Sequence, residues 1–432
     1  MKKINIYLIL MFLSGTAIYS QNKPFPMEKN PWPVIRKERI EKLLPGVMKD
    51  SGIDAWLIVC RENNNDPLAL HIGGENASGS AAFMFFLKDG KIKSVAISPE
   101  GEAVALKEVK LLDEVIVIKK NASMWEKAAG VLKEYKPEKI AINSGENPIT
   151  DGLSHNQYLQ LEKALGAELT SRLVSSSGIV SGLLSVKLPE EIAIMEKAAE
   201  ITDQLERESL NIIIPGKTKD SDIALFLKKR MEELGVTDAW AADQNPNVNS
   251  GADRGHSNAT EKVIMPGDVI QIDFGIKVYG IWCSDIQRFA YVLKPGETDA
   301  PENIKKYFEY AVAGHRKVLA AIKPGVYGYD ADKVQRGWMN ETGSLPVIWG
   351  TGHPVGYWAH DSGPSISGGI LPERPANAKV FKTGQTFAYD GFYCWKLDGQ
   401  NTKTISVEEM VCVTDTGARY MNKPQDKLII IK

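Results

Sequence analysis

The chain has 432 residues, more than one ordinary domain holds, so two domains of roughly 150–250 residues are expected, each able to bury its own core. A formal net charge of −2, with 25% charged and 43% apolar residues, is globular composition that carries no nucleic-acid footprint. Four cysteines, Cys60, Cys283, Cys394 and Cys412, form no CxxC pair and are too few for a disulfide scaffold, so buried thiols are expected, although an exported location would still permit a bridge.

The first twenty residues stand apart. Lys2 and Lys3 precede an apolar run from Ile4 to Ala17, which Tyr19-Ser20-Gln21 closes. That is the architecture of a secretory signal peptide, with cleavage expected near Ser20. The run is shorter than the ~20 apolar residues of a spanning helix, so no stable membrane span is expected after its removal. A periplasmic or secreted location follows as an expectation.

A proline-rich lead-in from Asn22 to Pro33 precedes an expected helix over 34–49. Strands are expected at 54–60, 81–87, 93–97 and 114–118, alternating with helices near 123–135 and 156–165, so residues 28–175 read as an α/β domain. That stretch carries no catalytic constellation. Ser175-Ser-Ser-Gly178 reads as a hinge, and Leu188-Pro-Glu-Glu191 places proline and acids in the first turn of a long amphipathic helix to about Leu210. The expected division is therefore a leader over 1–20, one domain over 21–180 and a second over 181–432.

The second domain holds an internal echo. Ile214-Pro-Gly-Lys, followed by a helix to Gly235, is similar to Lys323-Pro-Gly-Val, followed by a helix to Gly343. Two unrelated Pro-Gly turns would look the same.

Five residues in the last third of the chain carry chemistry. Val269-Ile-Gln-Ile-Asp-Phe-Gly275 and Gly280-Ile-Trp-Cys-Ser-Asp-Ile-Gln-Arg288 each place an acid on an apolar strand, and a hairpin would bring Asp273 and Asp285 side by side. A lone buried aspartate is usually a turn or cap, but two on adjacent apolar strands are costly unless a cation neutralises them. His353 lies in the glycine-rich segment Gly350-Thr-Gly-His-Pro-Val-Gly356, with His360 in Ala359-His-Asp361 and His256 in Arg254-Gly-His-Ser257. Asp390 and Glu408 repeat the pattern of a carboxylate on an apolar strand, and alternation of faces means that Glu408 and Glu409 cannot both point inward. Four carboxylates and one imidazole are what two divalent cations about 3.5–4 Å apart require.

In this order and these contexts, Asp273, Asp285, His353, Asp390 and Glu408 resemble the pita-bread-fold metallopeptidases, which include methionine aminopeptidase, Xaa-Pro aminopeptidase, prolidase and creatinase. The resemblance spans the mature chain. It implies an α/β creatinase-like N-terminal domain and an α+β pita-bread catalytic domain with pseudo-twofold halves, which lends support to reading the Pro-Gly echo as a duplication. It also implies two divalent metal ions per chain, manganese first and cobalt, zinc or iron as alternatives. Asp273 and Asp285 would be the first two ligands, with Asp285 bridging; His353 would bind one ion, and Glu408 would be the last bridge. His256 and His360 match the histidines that position substrate, and Asp390 stands where the family's ligand and general base stands. The implied partner is a short peptide with proline at its second position, and such proteins are often homodimers.

Departures from the family pattern bear on substrate. The family has glutamate where Asp390 stands, proline-specific members have arginine at Ser406, and some have histidine at Trp349. Pro354 follows His353 where glycine is common, and Tyr357 and Trp358 suggest either an aromatic pocket wall or packing. Two alternatives therefore stand beside an exported Xaa-Pro peptidase: a metalloenzyme of the same fold acting on a small metabolite, and a catalytically silent binding protein.

Overall fold

The computed structural model describes residues 29–77 and 79–432, so the leader expected over 1–20 lies outside the described residues. The N-terminal half comprises α1 (Trp32–Lys42), α2 (Leu44–Ser51), β1 (Ala55–Arg61), α3 (Ala69–Ile72), β2 (Ser80–Lys88), β3 (Lys91–Pro99), α4 (Glu100–Val109), β4 (Glu114–Ile118), α5 (Met124–Tyr135), β5 (Ile140–Ile142), α6 (His155–Thr170), β6 (Leu173–Ser175) and α7 (Ser177–Ser185). The single helix expected over 34–49 is two, broken at Leu43, because Pro45 in the first turn of α2 has no N–H to continue α1. The four expected strands form, and they join β5 and β6 in a mixed sheet of order β4-β3-β2-β1-β5-β6. The last two strands are only three residues long, too short to show a period in the sequence.

Helix α8 (Pro189–Leu210) begins where its proline and acids predict. Glu191 accepts from the Leu188 N–H at 2.9 Å, and its carboxylate turns inward to Arg39 of α1. Trp282 Nε1 and the Tyr357 hydroxyl donate to the same carboxylate at 3.1 and 2.5 Å. Burial pushes Glu191 up, but Arg39, Tyr357 and the backbone together hold it below the usual carboxylate range. Trp32 meets both Trp282 and Tyr357 edge-on, and one apolar cluster runs from Ile35 and Leu44 to Ile270 and Ile272. Tyr357 is thus a packing residue at the junction of the two halves rather than a pocket wall.

The C-terminal half continues with α9 (Asp220–Leu234), β7 (Thr237–Asp238), β8 (Asn247–Ser250), β9 (Val269–Phe274), β10 (Ile276–Val278), β11 (Trp282–Cys283), β12 (Ile286–Val292), α10 (Glu302–Ala321), α11 (Gly328–Thr342), β13 (Gly352–Pro354), β14 (Thr386–Asp398), β15 (Asn401–Val413), β16 (Ala418–Tyr420) and β17 (Ile429–Ile431). Its two four-stranded sheets have orders β17-β12-β9-β8 and β13-β14-β15-β16.

The Pro-Gly echo is structural. Each half runs long helix, Pro-Gly turn, second helix and antiparallel strands: α8, α9 and β8-β9-β12, then α10, α11 and β13-β14-β15. The turns bond alike, Gly216 N–H to the Ile264 carbonyl and Gly325 N–H to the Phe381 carbonyl, at 2.8 and 2.9 Å. Asp273 follows Ile264 by as many residues as Asp390 follows Phe381, so the two aspartates occupy equivalent places on β9 and β14.

All four cysteines are buried free thiols. Among the described residues no helix is long and apolar enough to cross a membrane.

Candidate metal centre

The five acid and imidazole residues come from both pseudo-twofold halves. β9 carries Asp273, and Asp285 stands one residue ahead of β12. The register pairs Asp273 with Gln287, not with Asp285, so Asp285 lies diagonally on the same face, two residues along. The other half supplies His353 on β13, Asp390 on β14 and Glu408 on β15, with Asp390 directly opposite Glu408.

Close backbone approaches fix these strands. A Cβ on Gly352 would lie 2.3 Å from Tyr389 Cβ, and one on Gly391 would lie 2.1 Å from the Ala311 carbonyl oxygen of α10, so only glycine admits this packing beside His353 and Asp390. The Asp390 N–H donates to the Thr351 carbonyl at 2.7 Å, and the Thr351 hydroxyl donates to buried Asp332 of α11.

Asp285, His353 and Glu408 each present a ligand atom within 4.8 Å of the other two. His353 Nε2 stands 3.7 Å from both Asp285 Oδ2 and Glu408 Oε1. Its Nδ1 faces the Pro354 carbonyl at 3.3 Å, which places the proton on Nδ1 and leaves Nε2 free to bind. Burial lowers the His353 pKa to about 3, so the ring is neutral and suited to a cation.

The acids repel one another. Burial pushes Asp285 well up, with Glu408, Asp273 and Asp390 adding to it; Asp390 rises through burial, then Glu408 and Asp273. Glu408 is pushed up to about 8, mainly by burial and then by Asp273. Asp390 Oδ1 is buried with no partner. A neutral imidazole, four carboxylates and an unpartnered carboxylate oxygen fit hard divalent cations.

His256 and His360 rim the group. His256 is exposed, and its Nδ1 lies 3.4 Å from Asp273 Oδ2, a hydrogen bond that raises its pKa. The His360 ring sits edge-on to His353 at 4.2 Å, and burial lowers its pKa. Trp349 is half exposed and packs edge-on against Phe392, two residues along β14 from Asp390.

Alternation along β15 separates Glu408 from Glu409 as expected, yet both are buried because each face of the strand is covered. Glu409 accepts from Arg288 Nη1 and Nη2 at 3.0 and 3.1 Å. Sequence reading missed Gln287, whose Nε2 donates to Glu408 Oε2 at 2.7 Å. The available signal was its period-two spacing from Asp285 on a strand whose one other polar residue is Arg288.

Raised carboxyl pKa values link the site to stability. A group whose folded pKa exceeds its unfolded one stabilises fully below the unfolded value, about 4.3 for glutamate, and that contribution is lost as pH rises through the folded value. For Glu408 the loss is complete above about 8. Buried neutral histidines act oppositely, but only below their unfolded pKa of about 6.5. The metal-free protein is therefore expected to melt at lower temperature at pH 9 than at pH 7, with a smaller drop in Glu408→Gln. Equal slopes in the two proteins, measured by calorimetry, would refute the assignment.

Comparison with known proteins places the chain in a family. Residues 193–415 match the model of metallopeptidase family M24. The Xaa-Pro dipeptidase of Pyrococcus furiosus is 25% identical over 401 residues, 91% of this chain and all of that protein. Solved structures of an Xaa-Pro dipeptidase from Bacillus anthracis and an X-Pro aminopeptidase from Thermotoga maritima each superpose with TM-score 0.68. They are 21% and 22% identical and cover 92% and 89% of this chain and all of theirs. The expected fold, a creatinase-like N-terminal domain and a pita-bread catalytic domain, is the one found. With its matched segment spanning half the sequence, the chain belongs to metallopeptidase family M24.

Proposed function

We propose that this chain is an exported, dinuclear metal-dependent exopeptidase that cleaves the N-terminal bond of short peptides, with proline favoured at the second position. In this reading residues 1–20 are a leader removed on export to the periplasm or beyond, and residues 21–180 and 181–432 are the two domains. The carrying observation is the convergence of Asp285, His353 and Glu408 beside Asp390, whose Oδ1 has no partner. The substrate class is supported by the dipeptidase and aminopeptidase relatives.

Asp273, Asp285, His353, Asp390 and Glu408 would hold two ions, manganese first among cobalt, zinc and iron. When bound, such ions polarise a carbonyl and acidify water. The chain's own residues do the rest. Asp390 takes a proton at Oδ1 as general base. His256, whose pKa the hydrogen bond to Asp273 raises, and His360 donate hydrogen bonds to the substrate carbonyl as charge develops on it.

Purified mature protein loaded with manganese should cleave Xaa-Pro dipeptides and tripeptides and lose activity to a chelator. Asp390→Asn should lower kcat by about 10²–10⁴-fold, the usual worth of a general base. A wild type that cleaves no member of a broad peptide panel refutes the peptidase reading.

Asp390, Ser406 and Trp349 favour a second reading, a metalloenzyme of the same fold acting on a small metabolite. A gain of peptidase activity in Asp390→Glu over an inactive wild type would support it. Metal analysis separates both from a silent binding protein, which would retain no ions.

A further inference from the structure

The pseudo-twofold relation assigns partners to the acids. Asp273 faces Gln287 across β9 and β12, and Asp390 faces Glu408 across β14 and β15, so Gln287 occupies the place in one half that Glu408 occupies in the other. Asp285 and Ser406 lie two residues before Gln287 and Glu408, and are equivalent in the same way. Each half thus contributes one acid and one neutral polar residue at these two places. The two neutral residues meet, with the Ser406 hydroxyl donating to Gln287 Oε1 at 2.8 Å.

Hydrogen-bond accounting fixes the amide. Gln287 Oε1 also accepts from Gln271 Nε2 at 2.6 Å, which fills both of its lone pairs. Ser406 accepts from Gln271 Nε2 at 3.4 Å, so its proton is free for Gln287. The Gln287 amide nitrogen therefore faces Glu408 Oε2, to which it donates at 2.7 Å. Glu408 Oε1 is left towards His353. Gln287, Ser406 and Glu408 are all buried, so water does not compete for these bonds.

The geometry points to Gln287 as a positioning residue that holds the Glu408 carboxylate in the orientation that binds a divalent cation, with Ser406 and Gln271 holding Gln287 itself. This rests on the metal-site reading above. Ser406, where proline-specific relatives place arginine, gains a role of its own: the site keeps a hydroxyl there to orient a ligand rather than a cation to meet substrate.

The test is titration calorimetry with Mn²⁺ on the metal-free full-length mature protein, which needs no substrate. Gln287→Met, similar in length but without the donor, should bind Mn²⁺ about 10–100-fold more weakly, as losses of outer-sphere partners do. Ser406→Ala should weaken binding by about 5-fold, the worth of one neutral hydrogen bond, and Ser406→Thr, which keeps the hydroxyl, should restore it. Gln287→Met with wild-type affinity overturns the assignment, whatever its melting temperature. Should Gln287→Met give no cooperative melt, the Ser406 pair decides, and Ser406→Ala with wild-type affinity overturns it. A wild type that binds no Mn²⁺ overturns the metal-site reading itself, so the two failures are distinct.

Discussion

Asp285→Asn is expected to abolish tight divalent-metal binding and to lower kcat/KM by about 10³-fold or more, beyond the roughly 10–100-fold typical of an outer-sphere partner. Asp285 is buried between Glu408, Asp273 and Asp390, and its ligand oxygen stands 3.7 Å from His353 Nε2. An amide keeps the shape but loses the charge that cations need. The same change removes one of several mutually repelling carboxylates. The metal-free variant should therefore melt at or above the wild-type temperature near pH 8, since burial and repulsion both act against the ionised form. Activity and metal binding fall while stability holds, a pairing that a merely misfolded variant would not show. Retention of wild-type Mn²⁺ affinity, read by calorimetry, would remove Asp285 from the ligand set.

Arg288→Ala should be the most destabilising single change near the site, costing about 3–5 kcal/mol, because it strands buried charges rather than simply deleting a bond. The guanidinium is fully buried and donates to Glu409 on β15 and to Asp203 on α8, with Nε 2.5 Å from Asp203 Oδ1. Glu206 lies nearby on α8, both its oxygens buried without partners, and burial pushes it well above the usual range against the pull of Arg288. Losing this cation leaves Glu409 and Glu206 behind the metal face without a compensating charge, while Asp203 keeps its ion pair with Arg207. Denaturant or thermal unfolding should register the loss, roughly 10 °C in melting temperature for a domain of this size. Arg288→Met combined with Glu409→Leu should recover part of it, since an apolar pair of similar volume needs no compensation. A loss below about 1 kcal/mol in the single variant would mean that the acids are neutral without help.

Much of the fold was legible because its signals are local. The strands of residues 54–118 are apolar runs long enough to read, and α8 starts on proline and acids that satisfy its first turn. The break between α1 and α2 was equally local, written in Pro45, which stands in the first turn of α2. Tyr357 shows the opposite case. Its aromatic character fitted a pocket wall and the core equally, and only its bond to Glu191 and its contact with Trp32 decided for the core.

The sequence by itself determined which chemistry is present: five residues of metal-binding type, each in an apolar or glycine-rich context, in an order that resembles one family. Those features survive as sequence because ligand identity is a property of single side chains. Register was a matter for the tertiary structure, since pairing depends on how two distant strands slide past one another. That sliding sets Asp273 against Gln287, Asp390 against Glu408, and Ser406 against Gln287. It also buries Glu409 on the far face with Arg288, a partner that alternation along β15 cannot reveal.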